Sequence, residues 1–153
     1  MITAVDTNVL IDVLSADPRY GRASALALGR CLGEGEVIAC DAVVGELAHL
    51  YREPGRAAQE LQLLGVSHRP GGLAAALEAA RVQRRYREQG GGRERMLTDF
   101  LVAAHAQTLA DRLLTRDRGF YRSYFPKLEI LDPTELDRRL TAGREPLTPQ
   151  RDR

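Results

Sequence analysis

Four acidic residues in widely separated segments have the chemistry of ligands for a divalent cation: Asp6, Glu46, Asp99 and Asp117. Asp6 follows an apolar run at 2–5, and Asp99 precedes another at 100–104. An ionised carboxylate beside so much apolar sequence is unfavourable unless a cation or hydrogen bonds compensate. Because every ligand is an oxygen, the group favours Mg²⁺ or Mn²⁺ over zinc. We therefore expect a magnesium or manganese site, provided that the four side chains meet.

Single acids among these segments also have a simpler interpretation as helix caps. Asp6 and Asp41 are good N-cap residues, and Asp99 could support a cap at Thr98. For Asp41 we expect the cap alone, although a peripheral part in the site stays open. Capping residues need not lie close to one another, so the convergence of the four acids would distinguish a metal site from simple helix caps.

The elements that must position these acids alternate between short apolar strands and helices. Strands are predicted at 2–5, 37–40, 112–115 and 128–131, with a short edge strand or loop at 65–69. Helices are predicted at 9–14, 23–32, 42–51, 54–64, 73–89, 98–109, 117–125 and 133–140. This alternation predicts an α/β fold: a three-layer α/β/α domain with a short, mainly parallel central sheet.

Such a sheet would bring the four acids to one edge. Asp6 and Asp117 each lie just beyond the carboxyl end of a predicted strand. Asp99 lies at the start of the helix that leads into the strand at 112–115. Because that helix should run antiparallel to the strand, its N-terminus is expected at the same edge. Glu46 lies one turn into the helix after the second strand. Ligands of open α/β sheets bind beyond the carboxyl ends of the strands, so we expect the site there.

The length and composition fit one soluble domain. The 153 residues predict a single domain over 1–140 and a polar tail over 141–153, disordered at its end. No apolar run could cross a bilayer and the start lacks the features of a signal peptide, so we expect no membrane association and a cytoplasmic location. Cys31 and Cys40 are then expected to be reduced and packed. The net charge of +1 does not by itself indicate a nucleic-acid binder.

Four sequence blocks contain the acids: Asp6-Thr7-Asn8-Val9-Leu10, Gly45-Glu46-Leu47, Thr98-Asp99-Phe100-Leu101-Val102-Ala103-Ala104-His105-Ala106 and Leu114-Thr115-Arg116-Asp117-Arg118-Gly119-Phe120. In this order and at these distances they resemble the PIN domain and, within it, the VapC-type toxins of bacterial toxin–antitoxin pairs. The resemblance spans roughly residues 2–140. The chain departs mildly from the family at Asp41, where many relatives have a small hydroxyl residue.

The resemblance implies a Mg²⁺- or Mn²⁺-dependent endoribonuclease that cleaves single-stranded or loop RNA. It assigns the metal site to the four acids and supporting roles to Asn8 and Thr115. It also implies a VapB-type antitoxin as protein partner and a homodimer. A PIN-type nuclease of RNA processing without a toxin role, and a catalytically idle RNA-binding module, are the alternatives.

Basic residues next to the acids are the candidates for RNA phosphate contacts. They are Arg93 and Arg95 before Asp99, and Arg116 and Arg118 on either side of Asp117. They could equally be ordinary surface arginines. The arginines at 81–87 are interpreted as a solvated helix face. Tyr121, Tyr124 and Phe125 are expected to pack in the core rather than stack on bases.

Two other site types fit the sequence less well. Glu46-x-x-His49 is half of a di-iron carboxylate site, which needs a second such pair in a helix bundle. A phosphatase-type nucleophilic aspartate would have another aspartate two residues later, where Asn8 stands. We expect His49 and His105 to be packed or surface residues. An idle scaffold domain would be expected to have lost at least one of the four acids.

Overall fold

The computed structural model describes residues 1–143 and contains one sheet with helices connecting its strands. The strands are β1 (Ile2–Val5), β2 (Glu36–Ala39), β3 (Val66–His68), β4 (Arg112–Leu114) and β5 (Glu129–Leu131). The helices are α1 (Thr7–Leu14), α2 (Gly21–Glu34), α3 (Asp41–Ala48), α4 (Arg56–Leu64), α5 (Gly72–Glu88), α6 (Leu97–Leu109), α7 (Arg118–Tyr124) and α8 (Pro133–Ala142).

The sheet has the strand order β3-β2-β1-β4-β5, and every neighbouring pair is parallel. All three residues of β4 are buried, and so are the last three of β1. Because consecutive strand residues point to opposite faces, both faces of the sheet must be covered. The predicted three-layer α/β/α architecture is confirmed.

Small side chains let α6 lie close to the sheet. Ala103, Ala104 and Ala106 are completely buried, and α6 packs against β1, β4 and α5. Alanine favours the helix while adding little bulk at the contact. This packing brings the first turn of α6, which contains Asp99, to the carboxyl end of the sheet.

The direction in which successive strands are added to the sheet reverses at its centre. From β1 the chain proceeds through β2 to β3 on one side, and β4 and β5 then lie on the other. The carboxyl ends of β1 and β4 therefore border a topological switch point, where open α/β sheets form a crevice. Asp6 follows β1 and Asp117 follows the end of β4, so both acids lie at this crevice.

The structure corrects two predicted helix caps. Cys40, in an extended conformation, is the N-cap of α3, whereas Asp41 is already helical. The Asp41 carboxylate instead contacts His68 Nε2 at 2.9 Å and the Gly71 backbone N at 3.3 Å. At α6 the N-cap is Met96 rather than Thr98. Both helices begin earlier than predicted: the Asp41 carboxylate bonds to residues outside α3, and at α6 the Asp99 carboxylate bonds back to the backbone N of Met96.

The remaining element predictions are correct apart from their ends, and 65–69 contains the edge strand β3. Cys31 and Cys40 are buried and free, as predicted. None of the helices within residues 1–143 is long and apolar enough to span a membrane. Helix α8 continues to Ala142, and the predicted disorder at the end of the tail lies outside the described residues.

Candidate active site

Asp6 is buried, with 7% of its surface exposed. As the N-cap of α1, it accepts a hydrogen bond on Oδ1 from the backbone N of Thr7 at 2.7 Å. Its Oδ2 accepts hydrogen bonds from Thr115 Oγ1 at 2.8 Å, Asn8 Nδ2 at 3.1 Å and the Tyr121 hydroxyl at 3.2 Å. The capping role explains only the first of these bonds. The other three, from α1, the end of β4 and α7, fix the carboxylate at the crevice.

Thr115 connects the end of β4 to the end of β1. Its buried hydroxyl donates to Asp6 and accepts hydrogen bonds from the Asp117 backbone N at 3.0 Å and from Asn8 Nδ2 at 3.3 Å. Asn8 Oδ1 in turn accepts from the Arg116 backbone N at 3.2 Å. These bonds are the ones that supporting roles for Asn8 and Thr115 require.

Glu46 reaches the site from α3. Its Oε2 accepts a hydrogen bond from the Thr7 hydroxyl at the start of α1, and the residue is half-buried. The side chain therefore extends back from the first turns of α3 toward Asp6, as its position in the sequence predicts.

Asp99 and Asp117 come from the starts of two other helices. Asp99 lies in the first turn of α6, where its Oδ2 accepts a hydrogen bond from the Met96 backbone N at 3.0 Å. Asp117 immediately precedes α7 and forms an ion pair with the guanidinium of Arg95. Each of these two carboxylates therefore already has a partner from the segment that enters α6.

The electrostatics of the site reflect burial combined with mutual repulsion. Burial, with a smaller contribution from the neighbouring Glu46 carboxylate, raises the pKa of Asp6 to about 6, although hydrogen bonds from Thr115, Thr7 and Tyr121 lower it. Burial also raises the pKa of Asp99, with added contributions from Glu46 and Asp117 that Arg95 partly offsets. The four carboxylates thus influence one another, and a nearby cation would stabilise their ionised forms.

The acidic cluster formed by Asp6, Glu46, Asp99 and Asp117 has donor atoms that fit a hard divalent cation, but the side chains are not arranged around one. Within residues 1–143, no three His, Cys, Asp or Glu side chains stand together in a geometry that could hold a metal ion. Two of the carboxylates, those of Asp99 and Asp117, are directed to Met96 and Arg95 instead. The oxygen-only donors fit Mg²⁺ or Mn²⁺. Metal binding would require Asp117 to exchange its partner.

The four predicted RNA-binding arginines differ in their surroundings. Arg95 lies at the acidic cluster, and Arg93 is exposed two residues before it. Arg116 forms two hydrogen bonds, of 2.7 and 3.0 Å, to buried Asp12, and Arg118 forms ion pairs with residues around the start of α8. Arg116 and Arg118 therefore already serve the fold, and RNA binding by any of the four stays a prediction.

Tyr121 is the site residue that the sequence analysis missed. Its side chain packs in the core as predicted, with 1% of the residue exposed, but its hydroxyl donates to Asp6. Burial and the charges of Asp6 and Asp99 raise the pKa of Tyr121 well above its ordinary value, so the hydroxyl keeps its proton. Tyr121 lies four residues after Asp117, a spacing that puts both on one side of a helix. That spacing is the feature of the sequence that could have identified Tyr121 as a site residue.

An open groove of about 680 Å³ runs past Glu46, between α3 and the start of α6. Its lining comprises Ala42, Gly45, Glu46, His49, Met96 and Thr98. His49 is exposed at this groove, whereas His105 is buried with its Nε2 2.9 Å from the Arg69 carbonyl oxygen. A ligand lying in the groove would reach the acidic cluster through Glu46.

Comparison with known proteins gives one family match and a set of similar folds. The model of the PIN domain matches residues 3–126. No curated protein matches the chain in sequence.

Among solved structures, VapBC2 from Rickettsia felis, bound to a promoter DNA fragment, contains a chain with a TM-score of 0.68 and 17% identity, covering 86% of this chain and 98% of that one. VapBC-1 from nontypeable Haemophilus influenzae has a TM-score of 0.68 and 20% identity, with 88% and 99% covered. VapC20 from Mycobacterium tuberculosis, described as a toxin that cleaves the sarcin-ricin loop, has a TM-score of 0.60 and 18% identity, with 83% and 98% covered. At these identities the likeness concerns the fold.

Proposed function

The chain belongs to the PIN domain family, and from this membership and its acidic cluster we propose that it is a Mg²⁺- or Mn²⁺-dependent endoribonuclease. Asp6, Glu46, Asp99 and Asp117 are the proposed metal-binding and catalytic residues. Asn8 and Thr115 hold Asp6 and the backbone of Asp117 in place. The substrate is single-stranded RNA or an exposed RNA loop, cleaved by hydrolysis.

One observation carries this proposal: Asp6 lies buried at the switch point of the sheet with both carboxylate oxygens held. Three side chains orient Oδ2, although burial there raises the pKa of Asp6 to about 6. A purely structural position would be filled more favourably by a neutral residue. Retaining an oriented carboxylate beside Glu46 is explained by a cation that the site is built to receive.

The chemistry divides between the cation and the protein. A bound divalent cation would lower the pKa of a water molecule and neutralise charge on the phosphoryl oxygens. Asp6 and Asp117 would supply ligands from the ends of neighbouring strands, and Asp99 would supply one from α6. Glu46 borders the groove and would position the attacking water or complete a second site. Tyr121 would keep its proton and hold the Asp6 carboxylate in a fixed orientation.

The groove past Glu46 is the proposed path for the RNA strand. It is open and is lined by Glu46, one of the four acids, so a long substrate could enter it and reach that residue. Of the four arginines that we propose for phosphate contacts, Arg93 is exposed, whereas Arg95, Arg116 and Arg118 form ion pairs within the protein and would have to release them to bind a phosphate. Each phosphate contact adds a salt-dependent contribution to affinity.

We further propose that the enzyme is the toxin of a toxin–antitoxin pair, with a VapB-type antitoxin as its partner and a homodimer as its assembly. The similar folds in VapBC complexes support this role. A PIN nuclease of RNA processing would share the same site, and only a biological readout separates the two. An idle RNA-binding module would share the groove but not the cleavage.

The function is tested by RNA cleavage with purified wild-type and Asp6→Asn proteins. Wild type should cleave single-stranded RNA with Mg²⁺ or Mn²⁺ and lose activity in EDTA. Asp6→Asn should reduce cleavage by a factor of about 100 or more while circular dichroism shows a retained fold. Asp137→Asn, which removes an acid from α8, is the matched control and should cleave normally. Equal cleavage by wild type and Asp6→Asn would remove Asp6 from the site.

The toxin role is tested by expression in a bacterial host. Wild type alone should arrest growth, because its RNA cleavage would be unopposed, and Asp6→Asn should not. Co-expression of a short DNA-binding protein encoded next to this gene should restore growth. Harmless expression of a protein that is active in vitro would favour an RNA-processing nuclease.

A further inference from the structure

Arg95 occupies the acidic cluster from within the same chain. Its guanidinium forms an ion pair with the Asp117 carboxylate. It also lies near Asp99, which lowers the energy of its charged form. Asp99 bonds to Met96, the next residue after Arg95, whereas Asp6 and Glu46 bond to residues of other segments. The positive charge is therefore at the side of the site formed by α6 and α7.

The position of Arg95 is fixed by more than charge. The centre of its guanidinium lies 4.1 Å from the ring centroid of Phe120, which is itself almost fully buried and packed against Phe100 and Tyr121. Only 27% of the Arg95 side chain is exposed, against 35% for Asp117. A planar guanidinium stacks on an aromatic ring and pairs with a carboxylate at the same time. Arg95 therefore has a defined place instead of the loose geometry of a surface ion pair.

This place conflicts with a metal ion bound by Asp117. The guanidinium and a divalent cation would compete for the same carboxylate and would repel each other at such a short distance. Arg95 has a long side chain that can leave by rotation about its own bonds.

We propose that Arg95 is a built-in counter-cation of the acidic cluster, which neutralises Asp117 in the metal-free protein and which the divalent ion must displace in order to bind. The inference rests on the proposed metal site. It adds that the metal affinity of this chain is set in part by one of its own arginines. An arginine that supported the bound metal would have the opposite effect on affinity.

The experiment measures Mn²⁺ binding to the metal-free full-length protein by electron paramagnetic resonance of the free ion. Wild type is compared with Arg95→Gln and with Arg93→Gln, which removes the same charge from an exposed position two residues away. Arg95→Gln should bind Mn²⁺ about five- to tenfold more tightly, the effect expected when a partly buried ion pair no longer competes. Arg93→Gln should remain within about twofold of wild type, because Arg93 is exposed and solvent and salt screen its charge.

Three results would overturn the proposal: unchanged affinity in Arg95→Gln, weaker affinity in that variant, or an equal gain in Arg93→Gln, which would indicate net charge alone. These results leave the nuclease hypothesis intact as long as wild type binds Mn²⁺. Absence of binding in both wild type and Arg95→Gln would instead refute the proposed metal site. If Arg95→Gln does not fold, Arg95→Met is used. It keeps an apolar chain that can pack on Phe120 but removes the charge, and tighter binding than wild type is again expected.

A second measurement follows Arg95 directly. Its Nε–H resonance in a ¹⁵N spectrum should be resolved in the metal-free protein, where the guanidinium is held between Asp117 and Phe120. It is assigned by its loss in Arg95→Gln. Addition of Mg²⁺ should shift this resonance toward the position of free arginine or broaden it beyond detection. A resonance that does not respond while Mg²⁺ binds would mean that Arg95 stays on Asp117.

Discussion

Asp6 combines a structural role and a chemical one in a single side chain. One oxygen caps α1, and the other receives three hydrogen bonds. These bonds stabilise the ionised carboxylate, yet burial outweighs them and the pKa of Asp6 rises to about 6. The metal-free protein thus retains at Asp6 a charge that the fold alone disfavours. The effect of this charge on the free energy of unfolding can be measured without any substrate.

The first prediction at this scale concerns pH. Because the pKa of Asp6 is about 6 in the folded protein and near 3.8 in the unfolded chain, the folded protein binds a proton more tightly. Its contribution to stability is therefore present at low pH and is lost as pH rises from about 4 to about 6. Between about pH 4.5 and about pH 7.5 this loss amounts to about 2 kcal/mol.

Urea unfolding in EDTA at the two pH values measures this effect. Asp6→Asn lacks the titrating group, so its free energy of unfolding should fall by about 2 kcal/mol less than that of wild type over the same interval. Comparing the two proteins at each pH cancels the contributions of all other groups. Parallel pH dependence in both proteins would show that Asp6 ionises normally.

At the scale of elements, the site depends on how the ends of β1 and β4 are joined. Asp6 follows β1, Thr115 follows β4, and the Thr115 hydroxyl bonds to the Asp6 side chain and to the Asp117 backbone. Arg116, between them in this connection, is tied to buried Asp12 on α1. The segment 115–117 is thus fixed from both sides, and the position of Asp117 follows from it.

Removing the Thr115 hydroxyl tests this connection. Thr115→Val keeps the shape of the side chain but leaves the Asp117 N–H without its partner and takes one donor from Asp6. We expect it to lower the free energy of unfolding by about 2–3 kcal/mol and to weaken Mn²⁺ binding. Thr115→Ser keeps the hydroxyl and should retain both properties apart from a smaller packing loss. Equal behaviour of the two variants would mean that packing, and not the hydrogen bonds, matters here.

At the scale of the whole molecule, the strand order brings four distant segments to one crevice. Asp6 and Asp117 are 111 positions apart in the sequence, yet both follow adjacent strands on either side of the switch point. Helices α3 and α6 add Glu46 and Asp99 from the same edge. A cation that binds this crevice would therefore cross-link segments of the entire fold.

Metal binding should consequently stabilise the whole domain. At a Mg²⁺ or Mn²⁺ concentration about tenfold above the dissociation constant, we expect the melting temperature of wild type to rise by about 3–6 °C. The increment should vanish in the double variant Asp99→Asn, Asp117→Asn. A double variant Glu60→Gln, Glu88→Gln removes two charges from α4 and α5 and should keep it. An increment that persists in the first double variant would mean that the metal binds elsewhere.

The sequence by itself determined the fold class and nearly all of the elements, and it predicted that the four acids lie at one edge of the sheet; the supporting roles of Asn8 and Thr115 were implied by the family resemblance and stay predictions. It could do so because hydrophobic periodicity is local and because the acids stand in fixed relation to strand ends and helix starts. The predicted helix caps at Asp41 and Thr98 were wrong: Cys40 is the N-cap of α3 and Met96 that of α6, where the Asp99 carboxylate bonds to the Met96 backbone N.

Only the tertiary structure decided which partners these side chains choose. The Tyr121 hydroxyl donates a hydrogen bond to Asp6, and Arg116 pairs with Asp12. Arg95 pairs with Asp117 and stacks on Phe120. Such choices depend on distances of a few ångströms between segments far apart in the chain, and on how much water each group loses there. Residue types and spacing contain no record of either quantity.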